Sequence, residues 1–247
     1  MSLVVSDKHR YVFVELPRTG SSAIRRTLTQ RYDGRPVLYK HATYEEFLKT
    51  ASEEQKKYFV FSCIRNPLDD AVSLYFKLKT NHKNKFQSGG RRQPVLRTMI
   101  RRLQGKAGFH PQTSFPEFFL KSYKLPYDQW SSLSHHRFDY VIGFENLASD
   151  FAEVLKRLGL KPVSTLPVWN RTSGKTRDFA SYYTPRTIER AKCVFGPYMK
   201  QWGYEFPPEW GDAEVGGWTG LQFKMLRMLR LFYWKQLRPV LHQVLRQ

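Results

Sequence analysis

The segment YVFVELPRTGSSAIRRTL, Tyr11–Leu28, limits the possible folds of this chain more than any other feature. It opens with four apolar, β-branched or aromatic residues, which are typical of a strand buried on both faces. Gly20 breaks the strand, and Ser21 and Ser22 follow at a predicted helix N-terminus, where backbone N–H groups and the helix dipole favour an anion. Arg18 adds a full positive charge. The segment therefore predicts a strand, an anion-binding turn and a helix, although a simple connection between strand and helix would look similar.

The turn differs from the loop that holds the triphosphate of ATP or GTP. That loop has the pattern G-x-x-x-x-G-K-[ST], with a lysine directly after the last glycine. Here Arg18 precedes Gly20 and no lysine follows. A magnesium triphosphate would also need an aspartate for the metal. The turn fits one phosphoryl-like group, which argues against a nucleotide or small-molecule kinase, the alternative class of enzyme.

A second strand–helix segment, YFVFSCIRNPLDDAVSLYF, covers Tyr58–Phe76. Pro67 is suited to the first position of its helix. Arg65 follows the strand directly, at the edge where open parallel sheets bind ligands. Ser73 lies two turns into the helix. A guanidinium and a hydroxyl together suit a terminal phosphate monoester.

With both segments, the chain resembles the sulfotransferases that use 3′-phosphoadenosine 5′-phosphosulfate (PAPS), particularly the carbohydrate-type branch and its bacterial relatives. LPRTGSS is similar to the 5′-phosphosulfate loop of that family, and CIRNPLDDAVSLY is similar to its 3′-phosphate element. The similarity continues through KHATYEEF from Lys40, FDYVIGFENL from Phe138 and the region from Asn170 to WGYEF, so that it covers about 11–206.

The resemblance implies which residues hold the sulfuryl donor. The loop would bind the phosphosulfate, the second element would bind the 3′-phosphate, and the late loop SGKTRDF would close over the nucleotide; the residues concerned are Pro17, Arg18, Thr19, Gly20, Ser21, Ser22, Arg65, Ser73, Lys175 and Arg177. Arg18, the serine hydroxyls and the N–H groups around Gly20 would stabilise charge on the leaving bisphosphate. The family usually has lysine at the place of Arg18, and a planar guanidinium is not equivalent to a compact ammonium.

Sulfuryl transfer also needs a base that makes an acceptor hydroxyl nucleophilic. His41 is the preferred base, because its ordinary pKa is near neutrality and the resemblance places KHAT beside the acceptor side of the cleft. Glu45 and Glu46 are alternatives, since some relatives use a carboxylate. The chemistry requires no metal, and the two cysteines, Cys63 and Cys193, form neither a metal-binding pattern nor a disulfide framework.

The net charge of +20 predicts attraction to polyanions or anionic membranes. From Ala71 to Pro116 the chain has ten lysines and arginines and no acid. This basic insert is interpreted as a wall that binds the acceptor, with a solvated basic face as the alternative. Because no nucleic-acid recognition motif accompanies the charge, we predict no specific nucleic-acid partner.

The alternation of strands and helices predicts an α/β fold with a P-loop-like parallel β-sheet flanked by helices. A sulfotransferase domain is expected over 1–210 and a basic amphipathic helical tail over 211–247. The predicted elements are strands 11–15, near Val37, 58–64 and 139–143, and helices 21–31, from Thr43, 67–79, 146–158 and 181–195.

The predicted tail has no acid from Trp218 to Gln247, with cations along one side of a helix and apolar residues along the other. Such a helix suits the surface of an anionic membrane, and packing against its own domain or a partner subunit is the alternative. The sequence shows no signal peptide and no run of 18 apolar residues. We therefore expect a cytoplasmic protein, peripheral at the inner face of the membrane.

The predicted function is in-line transfer of the sulfuryl group from PAPS to a hydroxyl of a carbohydrate or glycolipid. The product nucleotide would be 3′-phosphoadenosine 5′-phosphate (PAP). Besides the kinase, the alternative is a basic nucleic-acid-binding or membrane-peripheral protein without enzymatic activity.

Overall fold

The computed structural model describes residues 3–38, 42–80, 110, 112–128, 137–163, 166, 172–176, 178–211 and 216–233. Outside these residues lie His41, Arg177 and most of the basic insert, namely 81–109 and 111. The chain divides into two compact units. The first comprises Met1–Arg65, Gln129–Arg171 and Leu231–Gln247, and the second comprises Asn66–Asp128 and Thr172–Arg230.

The helices and strands alternate along the chain as expected. The strands are β1 (Leu3–Ser6), β2 (Tyr11–Val14), β3 (Arg35–Val37), β4 (Phe59–Ile64) and β5 (Tyr140–Gly143). The α-helices are α1 (Ser21–Arg31), α2 (Tyr44–Leu48), α3 (Pro67–Lys79), α4 (Phe115–Ser122), α5 (Leu147–Arg157), α6 (Pro185–Trp202) and α7 (Gly217–Phe232). Short 3-10 turns lie at Gln55–Lys57, Phe144–Asn146, Ala180–Tyr182 and Pro208–Trp210.

The first unit is built on a sheet with the strand order β3-β1-β2-β4-β5. β2, β4 and β5 are parallel, with Val12 opposite Val60 and Phe61 opposite Tyr140. β1 runs antiparallel to both β2 and β3. The α/β sheet flanked by helices is therefore confirmed, but the sheet is mostly and not wholly parallel. β1 was not predicted, because we interpreted its short apolar run only as part of the segment that precedes β2.

Alternate residues of these strands supply the two apolar faces of the sheet. Val4, Phe13 and Phe61 point to one face, which α1 and α5 cover. The opposite face packs against α2 and is formed mainly by Leu3, Val5, Val12, Val14 and Val60. Burial of both faces explains why β2 and β4 are almost continuously apolar.

The second unit has a core of aromatic side chains contributed by α3, α4 and α6. Phe115, Phe119 and Tyr183 are buried in it, and the Tyr183 hydroxyl donates to the Leu68 carbonyl at 3.0 Å. Burial raises the pKa of Tyr183. The predicted helix 181–195 was wrong at both ends, since α6 covers Pro185–Trp202 and contains Pro197. Burial of apolar side chains on both sides of this proline offsets its cost within a helix.

The other predicted helices match closely. α1 and α3 have their predicted bounds, and the Asn66 side chain caps α3 by accepting from the Leu68 N–H at 2.9 Å. Among the described residues, none of the helices is long and apolar enough to cross a membrane. The predicted boundary between a domain at 1–210 and a tail at 211–247 stays a prediction.

The two thiols occupy opposite environments, and this difference can be tested. Cys63 is fully buried in β4, and burial raises the pKa of its thiol, whereas Cys193 on α6 is exposed. Because the thiolate is the reactive form, we expect one thiol to react quickly with a disulfide reagent in the folded protein and two to react after denaturation. Cys193→Ser should remove the fast phase. Fast labelling of Cys63 in folded Cys193→Ser would contradict the fold around β4.

Candidate active site

The loop after β2 has the backbone shape of an anion-binding turn. Arg18 and Gly20 both have left-handed backbone angles, with φ of 68° and 72°. Gly20 is the N-cap of α1, and the first turn of α1 contains no acid. The N–H groups and the dipole of this helix end can therefore attract an anion, and anion binding by the loop stays a prediction.

The hydroxyls of the loop support its shape in this structure. Thr19 and Ser21 are buried, and both donate to the Leu16 carbonyl. Ser22 donates to Glu15 Oε1 at 3.1 Å. A phosphate can only accept hydrogen bonds, so a hydroxyl must turn from its present acceptor before it can donate to the ligand. Phosphate binding by Ser21 and Ser22 stays a prediction.

Glu15 is a residue of this region that the sequence reasoning missed. It follows β2 directly, and only 7% of its side chain is exposed. Its other oxygen lies 3.6 Å from Arg25 Nε, so the carboxylate connects Ser22 to a cation on α1. A charged residue directly after a fully apolar strand was the available signal.

Arg65 connects the end of β4 to the loop. Its Nη1 donates to the Arg18 carbonyl at 2.9 Å. Its guanidinium carbon lies 4.0 Å from the centre of the Phe144 ring, in the arrangement of a cation–π contact. Arg65 is 8% exposed, so both contacts are largely shielded from water. Because planar guanidinium groups stack well on rings, the arrangement fixes the orientation of this side chain.

Three parallel strands bring these residues together, since β2, β4 and β5 end at one edge of the sheet. The 3-10 turn after β5 lies against the loop. A Cβ atom on Gly20 would approach Leu147 Cδ2 to 2.8 Å and Phe144 Cδ2 to 3.1 Å. The sequence identified FDYVIGFENL only as a similar segment and assigned no role to Phe144. Its position after a parallel strand, like that of Arg65, could have revealed it.

The second unit brings together two residues that the sequence proposed independently. Lys175 Nζ donates to Ser73 Oγ at 3.2 Å and forms a short ion pair with Asp69. Lys175 and Asp69 side chains are only 10% and 12% exposed. Asp69 was not among the predicted site residues, and its ion pair with Lys175 depends on a loop 106 residues away along the chain.

The other residues that the sequence predicted for the site lie in the loop, in α2 or outside the described residues. Pro17 is half-buried in the loop. The Glu46 carboxylate accepts from the Thr43 N–H at 2.7 Å and from the Thr43 hydroxyl at 3.1 Å, which makes it part of the capping box of α2. Glu45 is half-buried in the first turn of the same helix. His41 and Arg177 lie outside the described residues.

The comparison with protein-family models gives the decisive observation. The model described as "Sulfotransferase family" matches residues 1–194. The chain belongs to the sulfotransferase family. Among curated proteins there is no match. Among solved structures, the chain is similar to mouse sulfotransferase SULT7A1 complexed with PAP, with 16% identity, a TM-score of 0.42, and coverage of 79% of this chain and 86% of that chain.

The prediction of a sulfotransferase from two strand–helix segments is thus confirmed at the level of the family. Among the residues that the structure describes, no group of three or more His, Cys, Asp or Glu is placed to hold a metal ion. The polar groups of this sulfotransferase around the loop include hydroxyls, backbone N–H groups, the Glu15 carboxylate and the Arg65 guanidinium.

Gly20→Ala tests whether the loop requires its close approach to Leu147. Gly159 also has a left-handed backbone, with φ of 68°, but has no atom within 4 Å of an added Cβ. We expect Gly159→Ala to cost about 1 kcal/mol of unfolding free energy through backbone strain alone. Gly20→Ala should cost about 1–3 kcal/mol more, because the loop or Leu147 must shift. Equal losses of unfolding free energy in the two variants, measured by urea denaturation, would contradict the close packing of Leu147 against Gly20.

Proposed function

We propose that this sulfotransferase transfers the sulfuryl group of PAPS to a hydroxyl of a carbohydrate or glycolipid. The observation that carries the proposal is the hydrogen bond from Arg65 Nη1 to the Arg18 carbonyl. Arg65 is the residue assigned to the 3′-phosphate, and Arg18 belongs to the loop assigned to the 5′-phosphosulfate. The hydrogen bond therefore joins two predicted phosphate-binding segments whose residues lie 47 positions apart in the sequence. PAPS carries both of these groups.

Each unit, taken by itself, contains groups that can bind a phosphate. In the first unit, the left-handed Gly20 begins α1, whose first turn contains no acid of its own and offers backbone N–H groups. In the second unit, the Lys175 ammonium and the Ser73 hydroxyl lie together. Cationic and N–H donors are the groups that bind phosphate strongly in partly buried surroundings.

PAPS supplies an electrophilic sulfur joined to a phosphate leaving group. In the proposed reaction, Arg18 and the N–H groups around Gly20 hold the oxygen that gains negative charge when the bond from sulfur to phosphate breaks. His41 accepts the proton that the acceptor hydroxyl loses as its oxygen bonds to sulfur. Arg65 keeps the loop in place through the Arg18 carbonyl.

The two carboxylates proposed as alternative bases to His41 differ in how freely they could accept a proton. Glu46 Oε2 accepts both capping contacts from Thr43, so proton transfer through this carboxylate would compete with the cap of α2. Glu45 has no part in that capping box. We therefore keep His41 as the proposed base and place Glu45 before Glu46 as the alternative.

The proposed acceptor class is supported by charge and by the resemblance to the carbohydrate-type branch. A chain of net charge +20 attracts anionic glycans and glycolipids at a distance. The basic insert between Ala71 and Pro116 is the proposed wall for the acceptor. The experiment that tests the function is transfer of radiolabelled sulfate from PAPS to a panel of neutral and anionic glycans and glycolipids.

The donor assignment predicts selective binding of PAP over adenosine 5′-phosphate, measured by calorimetry. Arg65→Ala should abolish the preference, at a cost of about 2–4 kcal/mol for PAP, because charge-assisted bonds to the 3′-phosphate are lost. Arg157→Ala is the matched control, since Arg157 also lies over an aromatic ring, that of Tyr140, at 4.8 Å. The control should keep the preference. Equal affinity of the unsubstituted protein for both nucleotides would reject PAPS as donor.

The base assignment predicts that His41→Ala lowers kcat by about 100-fold or more while PAP affinity stays nearly constant. Glu46→Gln should retain activity, because an amide oxygen can still accept the capping bonds from Thr43. Chelators should not change the rate. An active His41→Ala together with an inactive Glu45→Gln would assign the base to the carboxylate.

A further inference from the structure

One face of α7 packs against the rest of the second unit through specific contacts. Phe223 is 6% exposed. Arg230 Nη2 donates to the Pro126 carbonyl at 3.0 Å, and its Nη1 lies 4.0 Å from Asp128, whose side chain is 1% exposed. Arg227 donates to Gln201. The sequence placed these two arginines with the other cations on one side of the helix, and the structure shows that both are directed at the protein.

The opposite face of α7 presents large apolar side chains to solvent. They recur at spacings of three and four residues and therefore share one side of the helix. We call them the α7 stripe: Trp218, Leu221, Met225, Met228 and Leu229, with exposures of 74%, 50%, 53%, 63% and 65%. Contiguous apolar surface of this kind on a soluble domain marks an interaction site.

We propose that the α7 stripe binds the surface of an anionic lipid bilayer, with the helix lying in the plane of the interface. Amphipathic helices with tryptophan and leucine on one face bind membranes in this way. Among the described residues, no helix is long and apolar enough to cross a bilayer, and α7 in this arrangement lies at the surface. The packing contacts of Phe223 and Arg230 hold the helix with its stripe directed outward.

Charge complementarity favours an anionic bilayer over another occupant. The chain has no acid from Gly216 to its end. The exposed Lys224 lies on α7, and the exposed Lys121 and Lys124 lie shortly before Pro126, which α7 contacts. Asp128, two residues after Pro126, has a side chain that is 1% exposed and lies beside Arg230. Lysines near a surface attract anionic lipid, whereas two copies of a chain of net charge +20 repel each other.

The stripe is tested by substitution, because deletion of the tail would also remove Phe223 and the partner of Asp128. Leu221→Gln, Met225→Gln and Leu229→Gln are combined in one full-length variant, since glutamine preserves helix propensity and net charge. The control is Leu38→Gln, a matched change at a leucine of the first unit that is 40% exposed. Sedimentation with vesicles of phosphatidylcholine, with and without phosphatidylglycerol, measures binding, and sulfate transfer to a soluble acceptor is measured in parallel.

We expect the unsubstituted protein and the control to bind the anionic vesicles, and more weakly at high salt. The triple variant should bind them about 100-fold more weakly with an unchanged melting temperature, because only exposed side chains are replaced. Equal binding by the triple variant would overturn the proposal. Absence of vesicle binding by the unsubstituted protein would also overturn it, and a dimer that the triple substitution dissociates would assign the stripe to a second copy. The outcome does not depend on whether the donor is PAPS.

Discussion

The orientation of the loop after β2 depends on one buried guanidinium. Arg65 bonds to the Arg18 carbonyl and lies over Phe144, so a single planar group touches the segments that follow β2 and β5 from its own position after β4. Arg18 has a left-handed backbone that a side chain other than glycine rarely adopts. The hydrogen bond to its carbonyl offsets part of that strain, and Gly20 can then start α1 at the right place.

The sequence predicted the parts of this arrangement that depend on local patterns. β2, β4, α1 and α3 were recognised because apolar runs, a glycine and a proline define their bounds. The loop and Arg65 were proposed as anion-binding groups for the same reason, with the family resemblance as support, and that assignment stays a prediction. β1 was missed because three apolar residues near a terminus do not distinguish a strand from a disordered lead.

Contacts between distant segments could not be predicted in this way. The cation–π contact of Arg65 with Phe144 requires β5 to pair beside β4, and the ion pair of Asp69 with Lys175 requires a loop more than one hundred residues away. The orientation of α7 is a similar case. A helical wheel showed that cations and apolar residues separate, but not that Arg227 and Arg230 would face the protein.

The ion pair between Lys175 and Asp69 has a thermodynamic consequence for the proposed donor complex. The ammonium has a carboxylate partner before any nucleotide arrives, and both side chains are almost shielded from solvent. A 3′-phosphate that engages Lys175 must therefore share the cation with this carboxylate or replace it. Only the difference between the two interactions contributes to affinity. If the donor engages Lys175, the ion pair holds the cation in place at the cost of some binding strength, and an uncharged ligand cannot offer an equivalent exchange.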